Sequence, residues 1–356
     1  MYMIHGGDIY SARLSGGKTP LDFSSNLNPL GLPKASVRAI KKEAAGFAVY
    51  PDPLCRRLRS ALGVEHKTDP ERIVCGAGAA DIIYRIVRCY RPGRTLLLSP
   101  AFSEYEKAAA EAGGETGYFR LEYPRFNVDT SLLPLITNKT ELFFLCNPNN
   151  PTGNLAPFEM VEAIIEKCNA TQTLLVIDEC FNGFLDDPAG NSADRFLDTV
   201  SKLVILKAFT KIYAMAGLRL GYALCSTPEI AGGIANTGQS WPVSLPAERA
   251  GLAALEDQAY LKRSRDLVRR ERGRLKPLLS NLGLEVLGGE ANYIFFRLPE
   301  DSLFRKETFF QDMLDRGILL RSCGNYPSLD DSYYRAAVKK PSDNDTLIAA
   351  LEDLLS

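Results

Sequence analysis

Leu203-Val-Ile-Leu-Lys-Ala-Phe-Thr-Lys-Ile-Tyr-Ala-Met-Ala-Gly-Leu-Arg-Leu-Gly-Tyr222 is the stretch on which the reading of this chain turns. Its first four residues form an apolar run that reads as a buried strand. Lys211 follows that run, and Arg219 comes eight positions later in the frame Gly-Leu-Arg-Leu-Gly-Tyr. A lysine that can form an imine and an arginine that can clamp a phosphate make a chemically useful pair. Both residue types are common and usually solvated, so the pair alone decides nothing.

Working outward, similar runs recur at Ile73-Val74, Leu96 to Leu98, Leu142 to Leu145, Leu174 to Ile177 and Leu220 to Leu224. Helical patterns separate them; in one, Met160, Val161, Ile164, Ile165 and Cys168 fall on a single face. Continuous apolar strands alternating with helices predict an α/β fold, a mostly parallel sheet covered by helices on both faces. From Ala247 to Leu282 the pattern becomes one long charged connecting helix. Beyond it we expect a strand over Asn292 to Phe296, a helix over Glu307 to Asp315 and strands at Ile318 to Arg321 and Tyr334 to Val338. A last helix capped by Ser342 or Asp343 should bury Leu347, Ile348, Leu351, Leu354 and Leu355. The expected organisation is an N-terminal arm (1–35), rich in Gly, Asn and Pro, a large domain (36–246) and a small α+β C-terminal domain (247–356).

A chain of 356 residues can bury a large core, and 46% hydrophobic with 24% charged residues is ordinary for a globular protein. The net charge of −1 gives no reason to expect nucleic acid or an anionic membrane as partner. Eight scattered cysteines without a C-x-x-C pair, and only His5 and His66, argue against a metal site. No apolar run approaches the ~20 residues of a membrane span. A soluble, cytoplasmic protein with reduced thiols is expected.

In parallel α/β sheets ligands collect at the carboxyl ends of the strands, and three further segments fall there. Gly76-Ala-Gly-Ala-Ala-Asp81 precedes a helix, and its small residues, Gly78, Ala79 and Ala80, would let backbone N–H groups approach a phosphate. The segment lacks the third glycine of a dinucleotide fingerprint and could be only a turn. In Cys146-Asn-Pro-Asn-Asn-Pro-Thr-Gly153, Asn150 can donate to an aromatic hydroxyl or simply begin a turn. Asp178 ends an apolar strand, where a carboxylate is costly without a cation. A pyridinium nitrogen would serve, and so would a role as helix cap. A lysine, an arginine, a phosphate cradle and an acid for a ring nitrogen are together what pyridoxal 5'-phosphate requires.

These segments resemble the fold-type I pyridoxal-phosphate-dependent enzymes, and the resemblance spans nearly the whole chain. It implies a cofactor site made of Asn150, Asp178 (28 residues on), the cofactor-bonding Lys211 and Arg219, with Gly78, Ala79 and Ala80 as the phosphate cup. In Pro100-Ala-Phe-Ser-Glu-Tyr105 it implies that Phe102 stacks on the ring. Tyr50, in Val-Tyr-Pro-Asp-Pro, would reach the phosphate of a neighbouring subunit, hence a homodimer with shared sites. Two positions depart. Ala208 stands where many relatives carry Ser or Thr, with Thr210 as a possible substitute, and Phe181 stands where aminotransferases usually have Tyr.

The fold hosts several reactions, so the class must come from groups that face the substrate. Arg335 matches the carboxylate-binding arginine of the family, and Arg321 one used for a second anion. Two arginines aimed at one pocket point to a dianionic substrate, although either alone could be a structural ion pair. His5-Gly-Gly-Asp, Leu21-Asp-Phe-Ser-Ser-Asn-Leu-Asn-Pro-Leu-Gly31, Phe181 and Arg321-Ser-Cys-Gly-Asn-Tyr-Pro are similar to the L-threonine-O-3-phosphate decarboxylases of cobalamin biosynthesis, near relatives of histidinol-phosphate aminotransferases. That resemblance implies a small phosphorylated amino-acid substrate, with His5 and Asn26 helping to hold it. Otherwise His5 is an ordinary surface histidine. The competing expectations are an aminotransferase acting on a phosphorylated substrate such as histidinol phosphate, and a binding or regulatory protein of the same fold.

Overall fold

The computed structural model describes residues 5–17 and 19–356. Among them, seven strands form one sheet. From edge to edge these are Ile73–Gly76, Gly221–Cys225, Leu203–Ala208, Leu174–Asp178, Leu142–Cys146, Arg94–Ser99 and Glu115–Arg120. All neighbours run parallel except Gly221–Cys225, which is antiparallel to the strands on both sides. Its apolar run is as continuous as the others because such a run reports burial on two faces, not direction. Leu174 to Ile177 and Leu203 to Leu206 are almost wholly excluded from solvent. Glu115–Arg120 escapes a reading by apolar runs, since this edge strand buries only Phe119.

The stretch expected as one long helix is two, Leu245–Leu255 and Gln258–Asn281. Asp257 starts the second by accepting the Tyr260 N–H (3.0 Å), so a capping side chain restarts the helix within an unbroken charged pattern. One face of that helix, including Tyr260, Ser264, Val268, Leu275 and Leu279, is buried.

The C-terminal region carries a four-stranded antiparallel sheet ordered Arg321–Ser322, Tyr333–Ala337, Tyr293–Arg297 and Glu285–Gly288. Three expectations are corrected. The strand expected over Ile318 to Arg321 is split, because Ile318–Leu319 pairs in parallel with Leu21–Asp22 instead. The helix before it, expected from Glu307, is shorter, Phe309–Asp315. The last helix begins at Pro341, whose missing N–H suits the first turn, and neither Ser342 nor Asp343 caps it. It buries Leu347, Ile348 and Leu351, with Leu354 and Leu355 partly covered.

The N-terminal segment is thus sewn into the C-terminal sheet. Phe23 N–H donates to the Leu319 carbonyl (2.8 Å) and the Ala337 N–H to the Phe23 carbonyl (2.9 Å). Further along, the Asn28 amide donates to the Ile212 carbonyl and to the Ser264 hydroxyl, both at 2.6 Å, and its N–H reaches the Lys211 carbonyl (3.1 Å). One buried asparagine therefore ties the arm to the turn carrying Lys211 and to the long helix.

Candidate active site

The carboxyl ends of the central strands reach one level, with Cys146 beside Asp178, Asp178 beside Leu206, and Ala208 beside Gly221. Ala79, Ala80, Phe102, Asn150, Asp178, Thr210, Lys211 and Arg219 line a cavity of about 170 Å³ at that level. Eight residues singled out along 141 positions of sequence thus meet in one place.

Lys211 follows the strand Leu203–Ala208 on a single helical turn, Phe209–Ile212. Burial pushes its ammonium pKa down to about 8, and the nearby Arg335 and Arg219 guanidiniums push the same way. Its Nζ lies 5.7 Å from the centre of the Phe181 ring. Asp178, at the end of the next strand, accepts from the Tyr105 hydroxyl (2.6 Å) and from the Cys180 N–H (2.9 Å). Burial, reinforced by Asp178, raises the Tyr105 phenol and the Cys180 thiol well above their usual values, so both stay protonated beside the carboxylate.

Asn150 Oδ1 accepts from the Arg335 guanidinium and from the Tyr326 hydroxyl (3.4 Å). That leaves its amide nitrogen to donate into the cavity. The loop behind it is braced by Tyr293, whose hydroxyl donates to the Asn149 carbonyl (2.6 Å), and by Asn149, which reaches the Pro100 carbonyl (3.2 Å).

The remaining wall is the start of the helix Ala79–Tyr90. Gly78 precedes it at φ +91°, and a Cβ there would lie 2.8 Å from Arg219 Nη2, so only glycine lets the guanidinium close over this helix end. Arg219 bonds the Ala216 carbonyl (3.2 Å), and Asp81 turns away from the cavity to pair with the buried Arg85 (2.8 Å). A helix N-terminus and a guanidinium facing one space form a phosphate-sized cradle.

Arg321 and Arg335 are cross-strand partners, both buried. Arg335 donates to the Ser24 carbonyl (2.8 Å), and Arg321 to Asn325 Oδ1 (2.7 Å). Asn26 is 1% exposed, and among the described residues neither polar atom of its side chain has a hydrogen-bond partner. A buried amide left this way costs ~1–3 kcal/mol, which a bound polar ligand would relieve. His5 stands near the mouth, its ring centre 5.8 Å from that of Phe102. Tyr50 does not join the cavity of its own chain; it is 77% exposed and stacked on Trp241 at 4.7 Å.

Two features escape sequence reasoning. Tyr105 is the hydroxyl partner of Asp178, and its only sequence signal is that it lies three residues after Phe102, on the same helix face. Behind the site, Glu179 and Lys207 form a buried pair (2.7 Å) joined by Asp194 and His66, bordering a separate cavity of about 300 Å³.

A mostly parallel sheet with a small antiparallel sheet beside it, and a lysine, an aspartate and a phosphate cradle at the strand ends, defines a pyridoxal-phosphate enzyme of fold type I. The chain belongs to the family described as aminotransferase class I and II, whose model matches residues 18–351. It is 33% identical to a threonine-phosphate decarboxylase from Salmonella typhimurium, over 99% of this chain and 96% of that protein. The crystal structure of the histidinol-phosphate aminotransferase from Clostridium acetobutylicum matches with a TM-score of 0.88 and 30% identity, covering 94% of this chain and 99% of that one. The enzyme of that name from Sinorhizobium meliloti, solved in complex with pyridoxal-5'-phosphate, also gives 0.88, at 24% identity over 98% and 94% of the two chains.

Pyridoxal 5'-phosphate is the cofactor, and the residues present fit it. The cradle that a Cβ at Gly78 would fill lies at one end of the cavity, and the depressed amine of Lys211 and the carboxylate of Asp178 line the rest.

Proposed function

We propose that this protein decarboxylates L-threonine O-3-phosphate to (R)-1-amino-2-propanol O-2-phosphate, a step of cobalamin biosynthesis. The observation that carries the reading is the cross-strand pair of buried arginines, Arg321 and Arg335, the second close enough to Lys211 to lower its pKa. Two buried guanidiniums repel unless anions separate them, and an amino acid with a carboxylate at one end and a phosphate at the other supplies both.

In this reading Lys211 bonds the cofactor, Asp178 pairs with its ring nitrogen, and Asn150 donates to its ring oxygen. Gly78, Ala79, Ala80, Thr210 and Arg219 receive its phosphate, joined by Tyr50 from the neighbouring protomer of a homodimer, and Phe102 covers the ring. Bound there, pyridoxal phosphate supplies an electron-withdrawing ring that accepts the bond pair released as CO2 departs. Arg335, fixed by Asn150 and the Ser24 carbonyl, takes the substrate carboxylate. Arg321, with His5, takes the phosphate, and Asn26 helps hold the substrate. Lys211, with a pKa of about 8, can carry a proton at Nζ and deliver it to Cα in place of the departed carboxylate. The three parts of the chain expected from sequence, 1–35, 36–246 and 247–356, then divide the work: the middle part holds the cofactor, and the outer two hold the substrate.

The second reading, an aminotransferase on a phosphorylated substrate, is favoured by the 30% identity to a histidinol-phosphate aminotransferase. Phe181 speaks against it, because a phenyl ring stands where aminotransferases usually place a hydroxyl. A paired assay separates the two. CO2 from L-threonine phosphate without glutamate supports the decarboxylase. Glutamate formed from histidinol phosphate and 2-oxoglutarate, without CO2, replaces it with the aminotransferase.

A further inference from the structure

Glu104 occupies the first turn of the ten-residue helix Ser103–Ala112, where the positive helix end favours a carboxylate. Its side chain is held from three sides. The Tyr84 hydroxyl donates to Oε2 (2.9 Å), Lys107 Nζ to Oε1 (2.8 Å), and His5 Nε2 lies 2.8 Å from Oε1. Burial opposes its charge, but the bonds from Lys107 and Tyr84 outweigh burial and hold the carboxyl below its ordinary value.

The segment bearing His5 is fixed just as closely. The Gly7 N–H donates to Ser24 Oγ (2.7 Å), and that hydroxyl donates to Asp22 (2.6 Å). A Cβ at Gly6 would run into the Ser24 carbonyl, the same oxygen that accepts from Arg335 (2.8 Å). The residue before Gly6 is therefore registered to Arg335 through one serine.

We infer that Glu104 is a positioning residue for the phosphate end of the substrate, aiming the His5 imidazole, beside Lys107, at the anion. This rests on the reading above, in which His5 and Arg321 take the phosphate. Nε2 lies between Glu104 Oε1 (2.8 Å) and Lys107 Nζ (3.3 Å); with the Nε2 proton turned to Glu104, Nδ1 is the nitrogen left for the phosphate, and it then donates only when the ring carries both protons. Burial lowers the pKa of His5, Lys107 and Arg321 lower it further, and Glu104 is the group that opposes all three. Glu104 thus sets both the direction of the ring and the pH range over which it is charged.

The test uses the holoenzyme. Glu104→Gln should raise KM for L-threonine phosphate about tenfold, lower kcat much less, and move the alkaline limb of kcat/KM to lower pH. Glu104→Asp should recover part of the loss. Affinity for unphosphorylated L-threonine, read from the shift in cofactor absorbance, should not change. An unchanged KM in Glu104→Gln, or equal losses for both ligands, overturns the inference. So does an unchanged KM in His5→Gln, which removes His5 from the phosphate while leaving CO2 release to decide the reaction. Should no CO2 form at all, the same spectral titration with histidinol phosphate decides: a loss confined to the phosphorylated ligand upholds Glu104, and equal losses overturn it.

Discussion

Lys211 needs its free amine to attack an aldehyde, and burial has moved its pKa to about 8 from an ordinary value near 10.5. Capture of pyridoxal phosphate by the cofactor-free protein should therefore accelerate as pH rises and level off above about 8. A rate that kept rising towards pH 10 would show an unshifted lysine. Lys211→Ala should abolish both turnover and the absorbance of lysine-bound cofactor, and retained turnover would remove Lys211 from the chemistry. Phe181→Tyr places a hydroxyl beside the site. Donation to the cofactor's ring oxygen would favour its ionised form and lower the midpoint of the bound cofactor's spectral titration by about one pH unit, the worth of one hydrogen bond.

At the scale of elements, the decisive pieces are strand ends and one helix start. Gly78→Ala brings a Cβ against Arg219 Nη2 at a backbone angle that L-residues rarely adopt. We expect cofactor affinity to fall about tenfold, as when one charged hydrogen bond is weakened, with a stability loss of ~1 kcal/mol. Equilibrium dialysis and thermal unfolding measure the two separately.

This is also the scale at which the sequence was most and least readable. Asp178 was legible because it closes a run of buried aliphatics, where a charge needs a reason, and Lys211 because it follows such a run with Arg219 eight positions on. Glu115–Arg120 was not, because an edge strand with one inward residue shows no run. The restart at Asp257 was hidden because a helix cap inside a charged helix changes neither composition nor period. The Tyr105 bond to Asp178 joins residues 73 positions apart, and no local pattern carries that information.

Across the whole molecule, Asn28 bridges three regions with two side-chain donors. Asn28→Ala strands the Ile212 carbonyl and the Ser264 hydroxyl in the interior and should cost ~1–3 kcal/mol of stability, read as a lower Tm. Tyr50, Trp241, Val49 and Leu54 are exposed large apolar side chains, and the first two stack on each other. If a second copy covers them and takes Tyr50 to its own cofactor, mixing the Lys211→Ala and Tyr50→Ala proteins should recover activity that neither has alone. No recovery, despite proven subunit exchange, would mean that each site is complete within one chain.

Asp178 and Glu179 are successive acids at the end of one strand, and they serve opposite sides: the first faces the cofactor cavity, the second pairs with Lys207 behind it. The sheet therefore acts as a partition between two compartments of charge, and chain length is what assigns each acid to its compartment. Removing a single residue from Leu174 to Ile177 would bring Glu179 to the position of Asp178 and turn Asp178 to the opposite face, since a one-residue slip turns every side chain over. Exchanging one aliphatic for another in that run would leave the assignment intact. The strand can thus vary in composition but not in count, an asymmetry that a library of substitutions and single deletions would expose directly.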